Sequence, residues 1–331
     1  MKKWICVGLI LSMLVLPVQA QPEGLSVAGK SALLMDAATG TVLFESNSHE
    51  KLAPASVTKV MTLLLIMEAI DSGKIGWKDT VTASAEAAAK GGSQIFLKEG
   101  ETMSVEDMVK SIAVSSANDC ACAMAEHIAG SEAAFVDLMN QKAKELGMND
   151  TNFVNCTGLD DEPEAENHKT SAYDIALMSR ELIVKHPDIE KYTTIWMDTV
   201  RNGTFGLSNT NKLIRFYSGA TGLKTGYTSG AGYCLSATAK RDGMELIAVV
   251  MGCETSKERL AACKTLLDFG FANYALGTPE LSGPNPVPVK LGTENQGNAV
   301  PGAHPPLPSS NGQTARLTTN DTPADGVTPT A

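Results

Sequence analysis

The clearest hydrophobic pattern in this chain is a nearly unbroken apolar segment. Residues 60–67 are apolar at almost every position and lack the polar stripe that a surface helix shows. A helix of this kind packs against neighbours on several sides. Pro54 and Ala55 lead into the segment, so its N-terminal end lies near Ser56. The pattern predicts a central, buried helix that begins close to Ser56.

A different pattern, nearer the C-terminus, predicts β-strands. Two β-like runs at residues 233–239 and 244–251 are separated by a turn that contains Asp242 and Gly243. An Asp-Gly pair between two such runs is a hairpin signal. Residues 222–228 precede the hairpin and predict a further strand.

The order of these elements predicts the architecture. Strand-like segments near both chain ends enclose a largely helical middle at residues 57–182, and a final helix covers roughly 257–274. We expect an α/β fold in which helices flank an antiparallel sheet built from both chain ends, with a helical subdomain inserted between them. A site would lie in the cleft between sheet and subdomain. Residues 189–217 mix strand-like and loop-like segments and predict no defined element.

The N-terminus has the features of an export signal. Lys2 and Lys3 precede an apolar stretch at residues 4–16, and small residues around Ala20 fit a signal-peptidase site. The apolar stretch is too short for a comfortable transmembrane helix. We therefore expect residues 1–20 to be a signal peptide and the protein to be exported to the cell wall or periplasm, or secreted.

The composition changes near the C-terminus. Residues 279–331 contain no aromatic residue and ten of the chain's fifteen prolines. A packed core is not expected from such a composition. We predict one folded domain at residues 21–278 and a disordered tail, in which no membrane anchor is evident.

Charge and histidine content exclude several functional classes. The formal net charge of −10 argues against a nucleic-acid partner. The five histidines are scattered without ligand spacing, so neither a metal nor a cofactor is predicted. His168 lies in a polar stretch and is expected to be a solvated loop residue.

Six cysteines remain beyond the predicted signal peptide, listed here in chain order: Cys120, Cys122, Cys156, Cys234, Cys253 and Cys263. An even number in an exported protein leaves disulfides possible. Most of the six lie in apolar runs, however, where cysteine behaves as a small hydrophobic residue. We expect mostly free, buried thiols.

The first of three short motifs is a Ser-Val-Thr-Lys tetrad that runs from Ser56 to Lys59. On a helix, residues three apart project from the same face, which brings these two side chains within reach of each other. A serine hydroxyl needs a base beside it to act as a nucleophile, and a lysine can be that base when burial or a second cation disfavours its ammonium form. Lys224 is the expected second cation. Taken alone, the tetrad also fits a helix-start serine and a solvated lysine.

The second motif, Ser116-Ala117-Asn118, lies between two helical stretches. Ser116 could relay a proton between Lys59 and a leaving amine, and Asn118 could bind a substrate amide or hold Lys59 in place. The alternative is an ordinary N-cap, for which Ser and Asn are preferred residues.

The third motif, Lys224-Thr225-Gly226, falls in the predicted strand at residues 222–228. An edge strand with a lysine, a hydroxyl and a bare backbone at these positions can align an extended peptide by β-augmentation while it holds the peptide's carboxylate. An ordinary strand lysine beside a glycine is the alternative.

In this order, the three motifs resemble those of low-molecular-mass penicillin-binding proteins that are serine-type D-Ala-D-Ala carboxypeptidases, peptidase family S11. The resemblance covers roughly residues 31–274. It includes a first hairpin at 35–43, the segment around Ser56, and further stretches at 168–176 and 209–213. It implies a β-lactamase/transpeptidase-like fold.

The resemblance also implies roles for individual residues. Ser56 would be acylated, Lys59 would be the general base, and Ser116 and Asn118 would complete the proton and substrate network. The substrates implied are peptidoglycan stem peptides that end in D-Ala-D-Ala, and β-lactams would bind covalently.

Further implied residues bind the substrate. Lys224 and Thr225 would meet its carboxylate. The backbone amides of Ser56 and Tyr227, the latter next to Gly226, would form the oxyanion hole. Arg259 matches a family arginine that helps to hold the carboxylate, and a guanidinium suits that task. A solvated arginine early in the last helix remains the alternative reading of Arg259.

Relatives with this resemblance usually continue into a small β-rich domain and often a membrane-associated helix. Residues 287–292 resemble the start of that domain and the rest does not, so we hypothesise a frame shift or a degenerate domain near Gln296.

Two rival functions stay open. The acidic stretch at residues 162–167 superficially resembles the loop in which class A β-lactamases carry a deacylating glutamate. Its spacing fits poorly, and Ala117 stands where those enzymes usually have aspartate, so a solvated acidic loop is the favoured interpretation. The other rival is a peptidoglycan-binding module without turnover.

Overall fold

The computed structural model describes residues 25–161, 163–277, 290–291, 295–296 and 316–319. The predicted signal peptide lies outside the described residues, and so does most of the predicted tail. Both stay predictions.

The helices and strands of the described part follow here in chain order. The helices are α1 (Lys59–Asp71), α2 (Ala85–Ala88), α3 (Val105–Ser115), α4 (Asn118–Ala129), α5 (Glu132–Glu145), α6 (Ala172–Lys185), α7 (Glu190–Thr193), α8 (Leu213–Phe216) and α9 (Ser256–Asn273), with short 3-10 helices at Ala55–Thr58, Pro163–Asn167 and Pro187–Ile189. The strands are β1 (Ser31–Asp36), β2 (Val42–Ser46), β3 (Thr80–Thr82), β4 (Thr102–Ser104), β5 (Met197–Val200), β6 (Phe205–Ser208), β7 (Ala220–Thr228), β8 (Gly232–Arg241), β9 (Met244–Cys253), β10 (Tyr274–Gly277), β11 (Lys290–Leu291), β12 (Asn295–Gln296) and β13 (Arg316–Thr319).

The main sheet joins strands from the two ends of the folded chain. Its five strands are antiparallel in the order β2-β1-β9-β8-β7. The join lies between β1 and β9, where Ser31 pairs with Met251 and Asp36 with Leu246. Helices α1 to α8 lie in the sequence between β2 and β9. The predicted fold class, an antiparallel sheet flanked by helices with a helical insertion, is confirmed.

The alternation of side chains along the central strands explains why helices cover both faces of the sheet. On β1, Leu33 and Met35 belong to the core shared with α1 and α6, whereas Ala32 and Leu34 belong to the core under α9. Successive strand residues point to opposite faces, and all four of these side chains are at most 2 % exposed. Each large aliphatic side chain buried in this way contributes roughly 1.5–3 kcal/mol. The sheet is therefore the middle layer of a three-layer structure.

Helix α1 is the central element of the helical part. From Lys59 to Met67 every residue is buried, and the helix packs against α3, α4, α5 and α6. This contact on all sides matches its apolar sequence and confirms the predicted central helix. The 3-10 helix just before α1 contacts β7 and β8, so the N-terminal end of α1 lies at the junction of helices and sheet.

The predicted hairpin joins β8 to β9. Asp242 and Gly243 have φ values of 49° and 83°, the left-handed conformation that both central residues of a type I′ turn require. Glycine adopts it without steric cost, and aspartate tolerates it better than most residues. The Asp-Gly signal therefore gave the correct strand boundary.

Residues 189–217, which predicted no defined element, contain α7, the two-stranded sheet of β5 and β6, and α8. In the described part of the chain, no helix combines the length and the apolar character needed to cross a membrane.

Candidate active site

The first motif lies at the N-terminal end of α1. Ser56 is in the 3-10 helix Ala55–Thr58 and is partly buried, and Lys59 is the first residue of α1. Lys59 Nζ donates a hydrogen bond to Ser56 Oγ at 3.0 Å. The structure thus brings together the proposed nucleophile and base, although the serine sits in a tighter helical turn than the predicted α-helix.

Burial favours the neutral form of Lys59 near neutral pH. Its side chain has no solvent exposure, and its ammonium also donates to the Thr157 carbonyl oxygen at 2.8 Å. Burial lowers the pKa of Lys59 to about 7, although the charge of the Asp119 carboxylate opposes the shift. None of the hydrogen bonds described for Lys59 goes to a carboxylate. The solvated-lysine alternative is wrong.

The second motif forms the junction between α3 and α4. Ser116 ends α3 in the left-handed conformation, with φ 62° and ψ 31°, which is uncommon for a residue other than glycine. The capping position before α4 is occupied by Ala117, which makes no side-chain cap hydrogen bond. The N-cap alternative for this motif is therefore wrong.

Two polar atoms of the second motif are buried without a partner in the described structure. They are Ser116 Oγ and Asn118 Oδ1. The Asn118 side chain is held from the other end, since its Nδ2 donates to the Gly91 carbonyl at 2.7 Å. Buried polar atoms are normally hydrogen-bonded, and exceptions need an explanation. A bound substrate that supplies the partners is such an explanation.

The third motif lies on β7, the edge strand of the main sheet, as predicted. Lys224 is 1 % exposed, and its Nζ donates to the Thr225 carbonyl oxygen at 2.9 Å. Burial, together with the neighbouring cations Lys59 and Arg259, holds the pKa of Lys224 well below its usual range. Thr225 Oγ1 donates to Thr210 Oγ1 at 2.6 Å, which fixes the orientation of its side chain.

Gly226 lets β7 pass directly against the nucleophile segment. A Cβ at this position would lie 2.6 Å from the Pro54 carbonyl oxygen and 3.1 Å from the Ser56 nitrogen. No side chain fits, so glycine is required for this close approach. The approach brings the strand that carries Tyr227 beside the backbone of Ser56, the two residues predicted to supply the oxyanion hole. Tyr227 is 54 % exposed, and its ring stacks on that of Tyr233 with centroids 4.2 Å apart.

Arg259 lies behind the third motif, on α9. It is 7 % exposed, and its Nη1 donates to the carbonyl oxygens of Gly226 at 3.1 Å and Cys234 at 3.4 Å. Burial lowers its pKa, and its Nε has no partner in the described structure. The alternative of a solvated arginine is wrong. Its predicted role toward a substrate carboxylate stays a prediction.

Sequence reasoning missed the segment that holds Lys59. Thr157 supplies its backbone carbonyl to Lys59, and Asn155 Oδ1 accepts hydrogen bonds from the amides of Thr157 and Gly158. Gly158 has φ +81°, and a Cβ on it would lie 1.8 Å from the Ala55 carbonyl oxygen. The turn-forming Asn and Gly are the signal that could have revealed this loop. A functional backbone carbonyl leaves no mark in the sequence.

The expectation for His168 is wrong. The residue is 3 % exposed, and its Nε2 is 2.8 Å from Thr58 Oγ1. Its Nδ1 accepts a hydrogen bond from the Val154 amide at 3.1 Å. Burial lowers the pKa of His168 to about 4. A neutral, buried histidine therefore connects the nucleophile segment to the loop after α5.

Other expectations agree with the structure. Glu164 and Glu166 are exposed, as expected for a solvated acidic loop. All six cysteines that follow the predicted signal peptide are free and buried, which confirms that prediction.

Comparison with known proteins identifies the family. Residues 17–255 match the Peptidase S11 family model, described as D-alanyl-D-alanine carboxypeptidase. The chain belongs to this family. The predicted resemblance is confirmed.

Curated relatives agree with this assignment. The chain is 54% identical over 248 residues to the D-alanyl-D-alanine carboxypeptidase DacF of Bacillus subtilis, an alignment that covers 74% of this chain and 62% of DacF. It is 38% identical over 267 residues to DacC of Escherichia coli, which covers 78% of this chain and 64% of DacC. The chain thus spans slightly less than two thirds of the length of these relatives.

Solved structures agree as well. The crystal structure of penicillin binding protein 6B from Escherichia coli superposes with a TM-score of 0.74 at 36% identity, covering 80% of this chain and 83% of that one. Penicillin-binding protein D2 from Listeria monocytogenes, in an ampicillin-bound form, superposes with a TM-score of 0.66 at 31% identity, covering 76% of this chain and all of that one.

Proposed function

We propose that this protein is a serine DD-carboxypeptidase that removes the terminal D-alanine from peptidoglycan stem peptides through an acyl-enzyme on Ser56. The observation that carries the proposal is the 3.0 Å hydrogen bond between Ser56 Oγ and Lys59 Nζ. The Lys59 side chain is completely buried. A lysine with a pKa of about 7 is largely neutral at slightly alkaline pH and can accept a proton. Membership of the S11 family supports the same reaction.

Acylation starts when Ser56 Oγ attacks the carbonyl carbon between the last two D-alanines. Lys59 takes the hydroxyl proton as the new C–O bond forms, and the amides of Ser56 and Tyr227 stabilise the oxyanion. The C–N bond then breaks. The proton passes from Lys59 through Ser116 Oγ to the leaving amine, and D-alanine departs.

Deacylation reverses these roles with water as the nucleophile. Lys59, neutral again after acylation, accepts a proton from the attacking water. As the ester C–O bond breaks, that proton returns to Ser56 Oγ. The products are the shortened peptide and the free enzyme, so no proton is gained or lost by the residues of the site.

Substrate recognition uses the third motif and the unpartnered atoms. The terminal carboxylate binds where Lys224 and Arg259 supply cationic donors and where the Thr225 hydroxyl, by giving up its hydrogen bond to Thr210 Oγ1, supplies a further donor. Asn118 Oδ1, which is buried without a partner, accepts an N–H of the peptide. The edge position of β7 allows the extended peptide to pair with it as an added strand.

The same site would be acylated by β-lactam antibiotics, which are cyclic amides with a carboxylate nearby.

Export fits a peptidoglycan substrate, because peptidoglycan lies outside the cytoplasm. We therefore keep the proposal of a signal peptide at residues 1–20, a peptidase domain at 21–278 and a tail at 279–331 that is disordered outside the short strands β11, β12 and β13. The tail and its origin stay hypotheses, for which resequencing of the gene near the Gln296 codon and limited proteolysis are the tests.

The test compares the secreted wild type with Ser56→Ala and with Ser72→Ala, a matched control at the far, exposed end of α1. Each is given a peptide that ends in D-Ala-D-Ala and, separately, a chromogenic β-lactam. We expect D-alanine release and a long-lived β-lactam adduct in the wild type and Ser72→Ala, and neither in Ser56→Ala. Fast β-lactam turnover without D-alanine release would indicate a β-lactamase, and an adduct with no turnover of either compound would indicate a binding module.

A further inference from the structure

A buried carboxylate outside the three motifs connects an ion pair to the segment that holds Lys59. Glu132, the first residue of α5, has a side chain only 11% exposed. Its Oε2 accepts a hydrogen bond from Lys90 Nζ at 2.5 Å, and its Oε1 accepts one from the Cys156 amide at 3.0 Å. A charged acceptor makes a stronger hydrogen bond to an amide than a neutral one.

Both backbone polar groups of Cys156 are hydrogen-bonded. While its N–H binds Glu132, its carbonyl oxygen accepts a hydrogen bond from Thr62 Oγ1 of α1 at 2.6 Å. The next carbonyl along the chain, that of Thr157, receives Lys59 Nζ. Lys59 and Thr62 are three residues apart on α1, so they meet this segment from one face of the helix.

Among the described hydrogen bonds to residues 155–158, only those made by Lys59 and Glu132 involve a charged side chain. The other side chains in these hydrogen bonds, those of Thr62, Asn155 and Thr157, are neutral. Burial alone would raise the pKa of Glu132, but the hydrogen bonds from Lys90 and from the Cys156 amide outweigh it and hold that pKa below its usual value. Glu132 is therefore a carboxylate at every pH at which Lys59 could act as a base.

We propose that Glu132, paired with Lys90, is a positioning residue that keeps the Thr157 carbonyl on Lys59 and thereby aims Lys59 at Ser56. This inference rests on the proposed function for its effect on rate, although its structural part does not. Glu132 touches none of the reacting groups. Its effect is transmitted along the backbone from the Cys156 amide to the Thr157 carbonyl. Without Glu132, residues 155–158 can move away from α1, and Lys59 loses the Thr157 carbonyl as its second hydrogen-bond acceptor.

Four variants separate positioning from folding. Glu132→Ala removes the acceptor for the Cys156 amide, whereas Glu132→Gln keeps an oxygen at that place. The double variant Lys90→Met with Glu132→Met removes both charges, so no charge is left buried and unpaired to destabilise the protein. The matched control is Glu86→Gln, because Glu86 also pairs with Lys90, at 3.6 Å, but is exposed.

Stopped-flow acylation by a fluorescent penicillin, on protein titrated for active sites, measures the acylation rate constant and the non-covalent dissociation constant separately. Misplacement of a catalytic group by about 1 Å can cost about 100-fold in rate. We expect Glu132→Ala and the double variant to acylate roughly 10- to 100-fold more slowly, with dissociation constants within about threefold of wild type. Glu132→Gln should recover most of the rate, and Glu86→Gln should match the wild type.

The inference is overturned if Glu132→Ala, counted per titrated active site, acylates at the wild-type rate, or if the double variant does. A wild type that forms no adduct would instead refute the proposed function. In that event a crystal structure of Glu132→Ala still decides the inference. Lys59 Nζ should lie beyond hydrogen-bonding distance of the Thr157 oxygen, against 2.8 Å in the wild type, and an unchanged contact would overturn it.

Discussion

Replacing the proposed general base should make this protein more stable, and the gain should depend on pH in a defined way. Lys59 is fully buried, and none of the described salt bridges includes it. Lys59→Met keeps a long, flexible side chain of similar volume and removes the ionisable group. The native state then no longer has to hold an ammonium group away from water.

The magnitude follows from the pKa of Lys59, which is about 7 in the native protein against 10.5 for an ordinary lysine. Below pH 7 the native and unfolded states both bind the proton. The native state is then destabilised by the full cost of burying the ammonium group, about 5 kcal/mol at 1.36 kcal/mol per pH unit. Between pH 7 and 10.5 only the unfolded state binds it, so the wild type gains stability as the pH rises. Lys59→Met also loses the hydrogen bonds of Lys59, and this loss offsets roughly 1–3 kcal/mol of the gain in stability at any pH. Lys59→Met should therefore be more stable than the wild type by about 2–4 kcal/mol at pH 6.

The assay is chemical denaturation followed by the fluorescence of Trp77 and Trp196, at pH values from 6 to 9. The difference in free energy of unfolding between Lys59→Met and wild type should be constant below pH 7. Above it, the difference should shrink by about 1.4 kcal/mol per pH unit. Lys257→Met, at an exposed position of α9, controls for the removal of a lysine side chain. A difference that stays flat from pH 6 to pH 9 would show that Lys59 does not lose its proton in this range, and the argument for Lys59 as the base would fail with it.

Two further predictions concern the rate of acylation by a β-lactam. Because the neutral form of Lys59 is the proposed base, the rate constant should fall about tenfold per pH unit below pH 7 and level off above it. A rate independent of pH between 5.5 and 8.5 would contradict this. Gly226→Ala should slow acylation by about 100-fold, because its Cβ would push β7 away from the Ser56 backbone; Gly206→Ala, on a strand with open space around it, is the control and should acylate normally.

Local patterns in the sequence were sufficient where the structure depends on near neighbours. The apolar run after Lys59 predicted a helix buried on all sides, and Asp242-Gly243 predicted the turn between β8 and β9. The three-residue spacing of Ser56 and Lys59 predicted side chains in contact, and they are 3.0 Å apart. In each case the deciding geometry is that of one helix turn or one hairpin.

Contacts between distant segments were not predictable in the same way. The hydrogen bond from Lys59 to the Thr157 carbonyl spans 98 residues, and the contact between Thr58 and His168 spans 110. Every residue has a backbone carbonyl, so no residue type marks Thr157. The polar neighbours of His168 suggested solvent, but the loop folds back onto the start of α1, and tertiary packing decides its burial.

The site places three cationic side chains in the protein interior, where burial of a charge destabilises the folded protein. Lys59, Lys224 and Arg259 are all buried, and the described salt bridges involve none of them. Burial lowers the pKa of each, and for Lys224 the charges of the other two lower it further. In the proposed mechanism the two lysines need opposite states, with Lys59 neutral to accept a proton and Lys224 charged to bind a carboxylate.

A substrate carboxylate selects that combination of states. Its negative charge next to Lys224 favours the ammonium form of that lysine. The charge on Lys224 in turn disfavours a proton on Lys59, because the two like charges repel each other. Binding therefore moves the proton toward Lys224 and leaves the base beside Ser56 ready to act. The burial that destabilises the folded protein is thus the same burial that keeps Lys59 neutral for its proposed role as a base. Removal of Lys59 should therefore stabilise the fold and abolish acylation together.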